Sequence, residues 1–209
     1  MGASWAALEP EIVERFLLFD TVYGIELKGS APTNGINIDH HIYDNDDRGN
    51  ALSSIEQVAE VIGVELSLRE QFISMNDKEY IPMMEHLSRT IIDEIRAYDR
   101  TAQGITKEHE REAMRAIRES DLTDRRLIVI RMNHSKTSPV CDRLYGKYVN
   151  LLILSSDGEI NFFGSSDIID GLIKKFPGGW SGAAKQFWGG YASQDDVLAF
   201  IKQYISHAE

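Results

Sequence analysis

Short apolar runs bounded by turn residues alternate along this chain with stretches whose apolar residues recur at helical spacing, which predicts an α/β fold. Arg15 to Asp20 reads as a buried strand, Phe16-Leu17-Leu18-Phe19, that closes on an acid. Lys28 to Asn34 is polar, with Gly29, Pro32 and Gly35 as turn signals, and Ile36-Asn37-Ile38 is a short strand running into Asp39-His40-His41. Ser53 and Glu56 stand at capping-box spacing before Ile55, Val58, Ala59 and Ile62, so a helix is expected there, ended by Gly63. Ser67 and Glu70 start a second helix that runs toward Asp77.

From Met84 to Ser120 the pattern is polar, charged and helical, broken once at Gly104, with Thr106 able to cap the second half. Beyond it Leu127-Ile128-Val129-Ile130 and Tyr148 to Leu154 are strand-like. Asp157-Gly158 is a hairpin turn and Ile160 to Phe163 the return strand. Asp167 to Phe176 and Ser193 to Ser206 read as helices, the last with Val197, Leu198, Ile201 and Ile205 as its apolar stripe. The division expected is a parallel-sheet domain over 1–83, a helical connector over 84–120, and a smaller mixed α/β domain over 121–209. No internal repeat is present.

Net charge and cysteine content narrow the function. The charge of −11 is uneven: residues 1–120 carry 12 Lys+Arg against 23 Asp+Glu, whereas 121–209 carry 10 of each. Long duplex nucleic acid is held by cations, so an acidic chain is a poor partner for it. No apolar run approaches the ~20 residues of a membrane span. No secretory signal is expected at Met1–Pro10, and the single Cys141 makes no internal disulfide, so a reducing, cytoplasmic setting is expected.

Asp39-His40-His41 is the most specific short feature. A carboxylate beside imidazoles just after a strand suits a divalent transition metal, and open α/β sheets place their sites at the carboxyl ends of strands. Asp20, ending an apolar run, is costly unless paired or bound to a cation. Asp77 follows Phe72-Ile73, where it could also cap a helix. Asp44-Asn45-Asp46-Asp47-Arg48-Gly49 lacks an acid at the twelfth position of a calcium loop, Ile55, which excludes an EF-hand. It reads as a solvated loop, with Arg48 as a candidate phosphate contact. His134, Lys136 and Arg143, in a polar loop, are candidates to line a cleft. His86, His109 and His207 read as surface residues, and Trp188 and Tyr191 as packing.

In chain order these stations resemble the DHH superfamily of phosphoesterases. The resemblance implies that Asp20 bridges metals, that His40 and Asp77 ligate, that His41 faces the substrate phosphate, and that Asp39 supports the histidines. Phe176-Pro177-Gly178-Gly179-Trp180-Ser181-Gly182-Ala183-Ala184 resembles the glycine-rich signature of the C-terminal domain found with many DHH proteins, where backbone amides meet a phosphate. It implies substrate binding by Gly178, Gly179 and Trp180. Two departures stand out. The family's His-x-Asp-x-Asp motif is not found in Met1–Glu14, and Trp180 replaces the signature's histidine, offering a stacking face in place of a base or ligand. The expectation is an Mn2+- or Mg2+-dependent phosphoesterase for a small nucleotide or short oligonucleotide, weakened by loss of the first motif. Its rivals are a nucleotide-binding module without turnover and a half-enzyme whose missing ligands come from a second copy or a partner chain.

Overall fold

A computed structural model describes residues 4–43, 46–182 and 186–207. Pro10 at the first position of a helix, where its missing N–H is no loss, sets α1 at Pro10–Phe16. The segment expected as the first strand is therefore the end of a helix and the turn after it, and Leu17, Leu18 and Phe19 are exposed. A four-residue apolar run has no period of its own, and here the local helix signals win. The strand comes later: β1 (Val22–Ile25) pairs in parallel with β2 (Gly35–Ile38) in a two-stranded sheet. Trp5 lies on this sheet at Gly24, where a Cβ would sit 2.0 Å from the indole, and its Nε1 donates to Asn37 Oδ1 at 2.6 Å.

β3 (His41–Tyr43) and β4 (Asp46–Asp47) follow, then α2 (Ser54–Ile62) and α3 (Leu68–Glu79). Both helices open on the expected capping boxes, Ser53 with Glu56 and Ser67 with Glu70, and Gly63 ends α2 in the left-handed conformation at φ 69. α4 (Ile81–Met84) and α5 (Arg89–Ala102) bury Ile81, Met84, Ile92 and Ile95 in one small core. α6 (Lys107–Glu119) buries Ala113 and Ala116 in a different one. The 84–120 stretch thus holds two helices on either side of Gly104, α5 packed into one core and α6 into the other.

The elements that follow are β5 (Ile128–Met132), α7 (Ser138–Leu144), β6 (Leu151–Ser155), β7 (Glu159–Phe163), α8 (Ser166–Lys175), β8 (Trp180–Gly182), β9 (Phe187–Tyr191) and α9 (Gln194–His207), and a core lies on each face of their sheet, one under α6 and α7 and one under α8 and α9. The Asp157-Gly158 turn joins β6 and β7 as expected. Every residue of β6 is buried, because helices cover both faces of the sheet. Leu151 and Ile153 face α6 and α7, whereas Leu152 and Leu154 face α8 and α9. The strand order is β4-β3-β8-β9-β7-β6-β5, with β5 and β6 parallel and the other pairs antiparallel. The sheet of the C-terminal half is therefore extended by β3 and β4 from the N-terminal half. The chain is α/β, with one parallel sheet and one mixed sheet, and no helix among the described residues is long and apolar enough to cross a membrane.

Candidate metal and phosphate site

Parallel pairing places Ile25 opposite Ile38, and the Glu26 N–H extends the ladder to the Ile38 carbonyl at 2.9 Å. The residues that follow the two strands, Glu26 and Asp39, thus emerge together at one carboxyl edge. Glu26 holds a left-handed backbone at φ 53, unusual for a side chain with a Cβ and the kind of strain that collects at functional sites.

Asp39 is buried and serves as an acceptor hub. Its Oδ1 takes the His40 N–H at 2.8 Å, the His41 N–H at 3.0 Å and His41 Nδ1 at 2.8 Å. Its Oδ2 takes the Tyr43 hydroxyl at 3.1 Å and Arg48 Nη1 at 3.4 Å. Burial alone would raise this carboxyl, but the His41 side chain and backbone and the Tyr43 hydroxyl outweigh it and hold the pKa at about 2. An ionised carboxylate only accepts, so in the neutral imidazole His41 Nδ1 carries the proton and Nε2 presents its lone pair. Burial lowers the His41 pKa, but the Asp39 contact outweighs it and leaves it raised; burial lowers that of His40.

His40 Nδ1 is buried with no hydrogen-bond partner, and the nearest carboxylate oxygen paired with it is Asp77 Oδ2 at 3.7 Å. Glu26, His40 and His41 each offer a ligand atom, and these atoms lie within 4.8 Å of one another. An orphaned buried imidazole nitrogen in a set of oxygen and nitrogen donors fits a divalent transition cation such as Mn2+. Asp77 is not a helix cap. It lies inside α3 with its side chain 36% exposed, and desolvation and then the Glu26 charge raise its pKa.

The structure brings together Asp39, His40, His41 and Asp77 but leaves Asp20 apart. Asp20 is exposed and precedes β1, so it stands at no strand's carboxyl end; Glu26 does. Arg48 spends its donors on the Leu27 carbonyl at 2.6 Å, the Gly29 carbonyl at 2.5 Å and Asp39, and so pins the loop after β1. Arg143 bonds Glu110 and the Pro139 carbonyl within α7, and His134 packs against His109 at 4.6 Å between ring centroids. Neither lines the two cavities nearest the site.

Those cavities meet at Asn76, Asp77 and Asp99. One, of about 430 Å³, is largely apolar, with Ile25, Val58, Ile95 and Tyr98 in its wall. The other, of about 580 Å³, runs between the helical layer and the mixed sheet, past Tyr80, Arg96, Tyr148 and Asn161. The glycine-rich segment lies elsewhere, along β3: His41 is paired with Gly182 and Tyr43 with Trp180. Gly178 is left-handed at φ 87, and a Cβ on Gly179 would meet Trp188 Nε1 at 2.4 Å, so both glycines are needed for the chain path. Ala183 and Ala184, like Asp44 and Asn45, lie outside the described residues. The Lys28 ammonium stands over the Trp180 ring at 4.6 Å and over the Tyr43 ring at 5.2 Å.

Four residues escaped the sequence reading: Glu26, Lys28, Tyr43 and Gln57, whose Nε2 donates to the Asp39 carbonyl at 2.8 Å. Glu26 is hidden because Phe16-Leu17-Leu18-Phe19 is the more apolar run; Gly24-Ile25-Glu26 before the Asn34-Gly35 turn is the signal that finds it.

No family model matches this chain, and no curated protein matches it. Among solved structures it is similar to the pGpG-specific phosphodiesterase PggH from Vibrio cholerae, at 13% identity over 96% of this chain and 88% of that one, with a TM-score of 0.37.

Proposed function

We propose that the chain is a metal-dependent phosphoesterase for small nucleotides, with Glu26, His40 and His41 holding a divalent cation and Asp77 facing it. The observation that carries this reading is the buried His40 Nδ1, which has no hydrogen bond and sits within a cluster of three potential ligands. Mn2+ suits the donor set, with Mg2+ a poorer fit because it prefers oxygen. A cation held there supplies charge to a phosphoryl oxygen and makes water more acidic. In the hydrolysis, water adds to phosphorus, the bond to the leaving alkoxide breaks, and the water's proton ends on the leaving oxygen. Asp39 keeps His41 in one tautomer and orientation.

Asp20, the ligand implied by family resemblance, and Glu26 make opposite predictions. Glu26→Gln and His40→Ala should each weaken Mn2+ binding by about 10-fold or more, whereas Asp20→Asn should leave it unchanged. Mn2+ should also raise the melting temperature of the wild type and not of the first two variants. Calorimetric titration with Mn2+ reads the affinities. Equal affinity in Glu26→Gln and wild type sinks the assignment.

A binding module without turnover is the second reading. It is favoured by a ligand set that, among the described residues, serves one cation and not a pair. A hydrolysis screen over linear and cyclic dinucleotides in Mn2+, with pGpG included, separates the two.

A further inference from the structure

Lys28 is placed where neither the metal cluster nor the hydrogen-bond network accounts for it. Its backbone is fixed: the Lys28 carbonyl accepts the Trp5 N–H at 3.0 Å, and Lys28 bridges to Ser4. Its ammonium makes no hydrogen bond or ion pair among the described residues and is held by two ring faces alone, those of Tyr43 and Trp180. The neighbouring cations are committed. Arg48 holds two carbonyls and Asp39, and Lys78 holds Glu56 at 2.9 Å. Tyr43, under the Lys28 ammonium, is bonded to Asp39 and its ring lies 6.1 Å from that of His41, so one residue separates the lysine from this histidine. The indole of Trp180 rests on its cross-strand neighbour Gly189, where a Cβ would come within 2.5 Å of it. A base can therefore stack on Trp180 only where the ammonium now stands.

We propose that Lys28 is the phosphate-holding cation of this site and the gate on its base shelf: it lies on the Trp180 indole in the free protein and leaves it for the phosphate of a nucleoside 5′-phosphate, which frees the ring for the base. This rests on the nucleotide reading above. The exchange is favourable because a charge-assisted hydrogen bond to phosphate is stronger than a half-exposed cation–π contact. The freed indole then stacks on the base without regard to its identity. The acidic surroundings, Glu26, Asp39 and Asp77, give an incoming anion no other uncommitted cation among the described side chains around Tyr43.

Proton NMR of the full chain tests it. The ε-methylene protons of Lys28, lying over two rings, should resonate upfield of other lysines, and Lys28→Met identifies the signal by its loss. In Mn2+-free buffer, 5′-GMP should return this signal toward the ordinary lysine position, while guanosine without phosphate should not. In Mn2+, Lys28→Met should raise KM for pGpG about tenfold and change kcat by less than about twofold, and Lys28→Arg should restore most of the affinity. If GMP binds the wild type with the Lys28 signal unmoved, or binds Lys28→Met equally well, Lys28 is a latch between β3 and β8 and the proposal is overturned. If the wild type binds neither GMP nor Mn2+, the nucleotide reading itself falls and takes the gate with it.

Discussion

At the residue scale, the site is organised around one buried carboxylate. Asp39 collects two backbone N–H groups, an imidazole, a phenol and a guanidinium, and remains ionised under nearly all conditions. Asp39→Asn keeps the shape but loses the charge, and an amide can present an N–H where the imidazole Nδ1 needs an acceptor. His41 is then free to turn or to switch tautomer. Turnover should fall by about 10- to 100-fold while bound Mn2+ falls far less, because Asp39 touches the ligand and not the cation. Steady-state rates together with metal analysis read both, and an unchanged kcat would sink this role. The two histidines should also titrate in a fixed order in metal-free protein. His41, beside the Asp39 charge, should lose its proton at higher pH than His40, whose pKa burial lowers. Nitrogen chemical shifts of the imidazoles followed against pH would show the order, and the reverse order would contradict the hydrogen bond to Asp39.

At the element scale, what could be read from the sequence was what local chemistry decides. The Ser53/Glu56 and Ser67/Glu70 capping boxes, the Gly63 stop and the Asp157-Gly158 hairpin each depend on residues within a few positions of one another, and all are present. Misses come where local signals compete or where tertiary context decides. Phe16-Leu17-Leu18-Phe19 has the apolarity of a buried strand and the neighbours of a helix, and β8 is a strand because β3 lies beside it, 137 residues back at the Trp180–Tyr43 pair. Asp39, His40, His41 and Asp77 were legible as a group, since an Asp-His-His after a strand is informative in itself. Glu26 was not, because its place depends on the register of β1 with β2. The α2 cap also carries a pH signature. Burial would raise the Glu56 carboxyl, but Lys78 on α3 and the Ser53 N–H outweigh it and hold the pKa at about 2. A depressed carboxyl contributes stability that is full above its unfolded pKa and fades as pH falls toward its folded one. Glu56→Gln should therefore lower stability at neutral pH and flatten its decline between about pH 5 and pH 2. Urea unfolding at several pH values reads this, and parallel pH curves for variant and wild type would refute it.

At the scale of the whole molecule, the two halves are joined by more than the loop at Gly104. β3 of the first half is hydrogen-bonded to β8 of the second, in register from His41–Gly182 to Tyr43–Trp180. Arg96, buried on α5, donates to Asp142 of α7 at 2.8 Å, and also to Asn76 and Asp99, while its guanidinium lies 4.0 Å from the Tyr80 ring centroid. Lys136 reaches across to the Gln103 carbonyl at 2.8 Å, and Ser138 to its side chain at 2.9 Å. Asp142 also accepts from Arg100 and the Tyr80 hydroxyl, so losing Arg96 leaves the carboxylate partnered and should cost less than the about 3–5 kcal/mol of a buried pair broken outright. Gly104 itself is exposed, left-handed at φ 67, and has nothing within 4 Å of where a Cβ would be. A specific protease site inserted there should be cut readily in the folded protein, since an exposed loop tip without packed neighbours is where nicking is tolerated. The fragments 1–104 and 105–209 should nevertheless co-elute on gel filtration in native buffer and part only in denaturant, because the β3–β8 ladder and the Arg96–Asp142 pair do not pass through the cut. Bound Mn2+ should survive the nick, since Glu26, His40 and His41 all lie in the first fragment; Arg96→Met in the nicked protein should let the halves separate at lower urea. Separation of the wild-type fragments in native buffer would mean that the strand pairing between the halves is too weak to hold Trp180 at the Asp-His-His edge, and the proposed nucleotide site would then be confined to the first half.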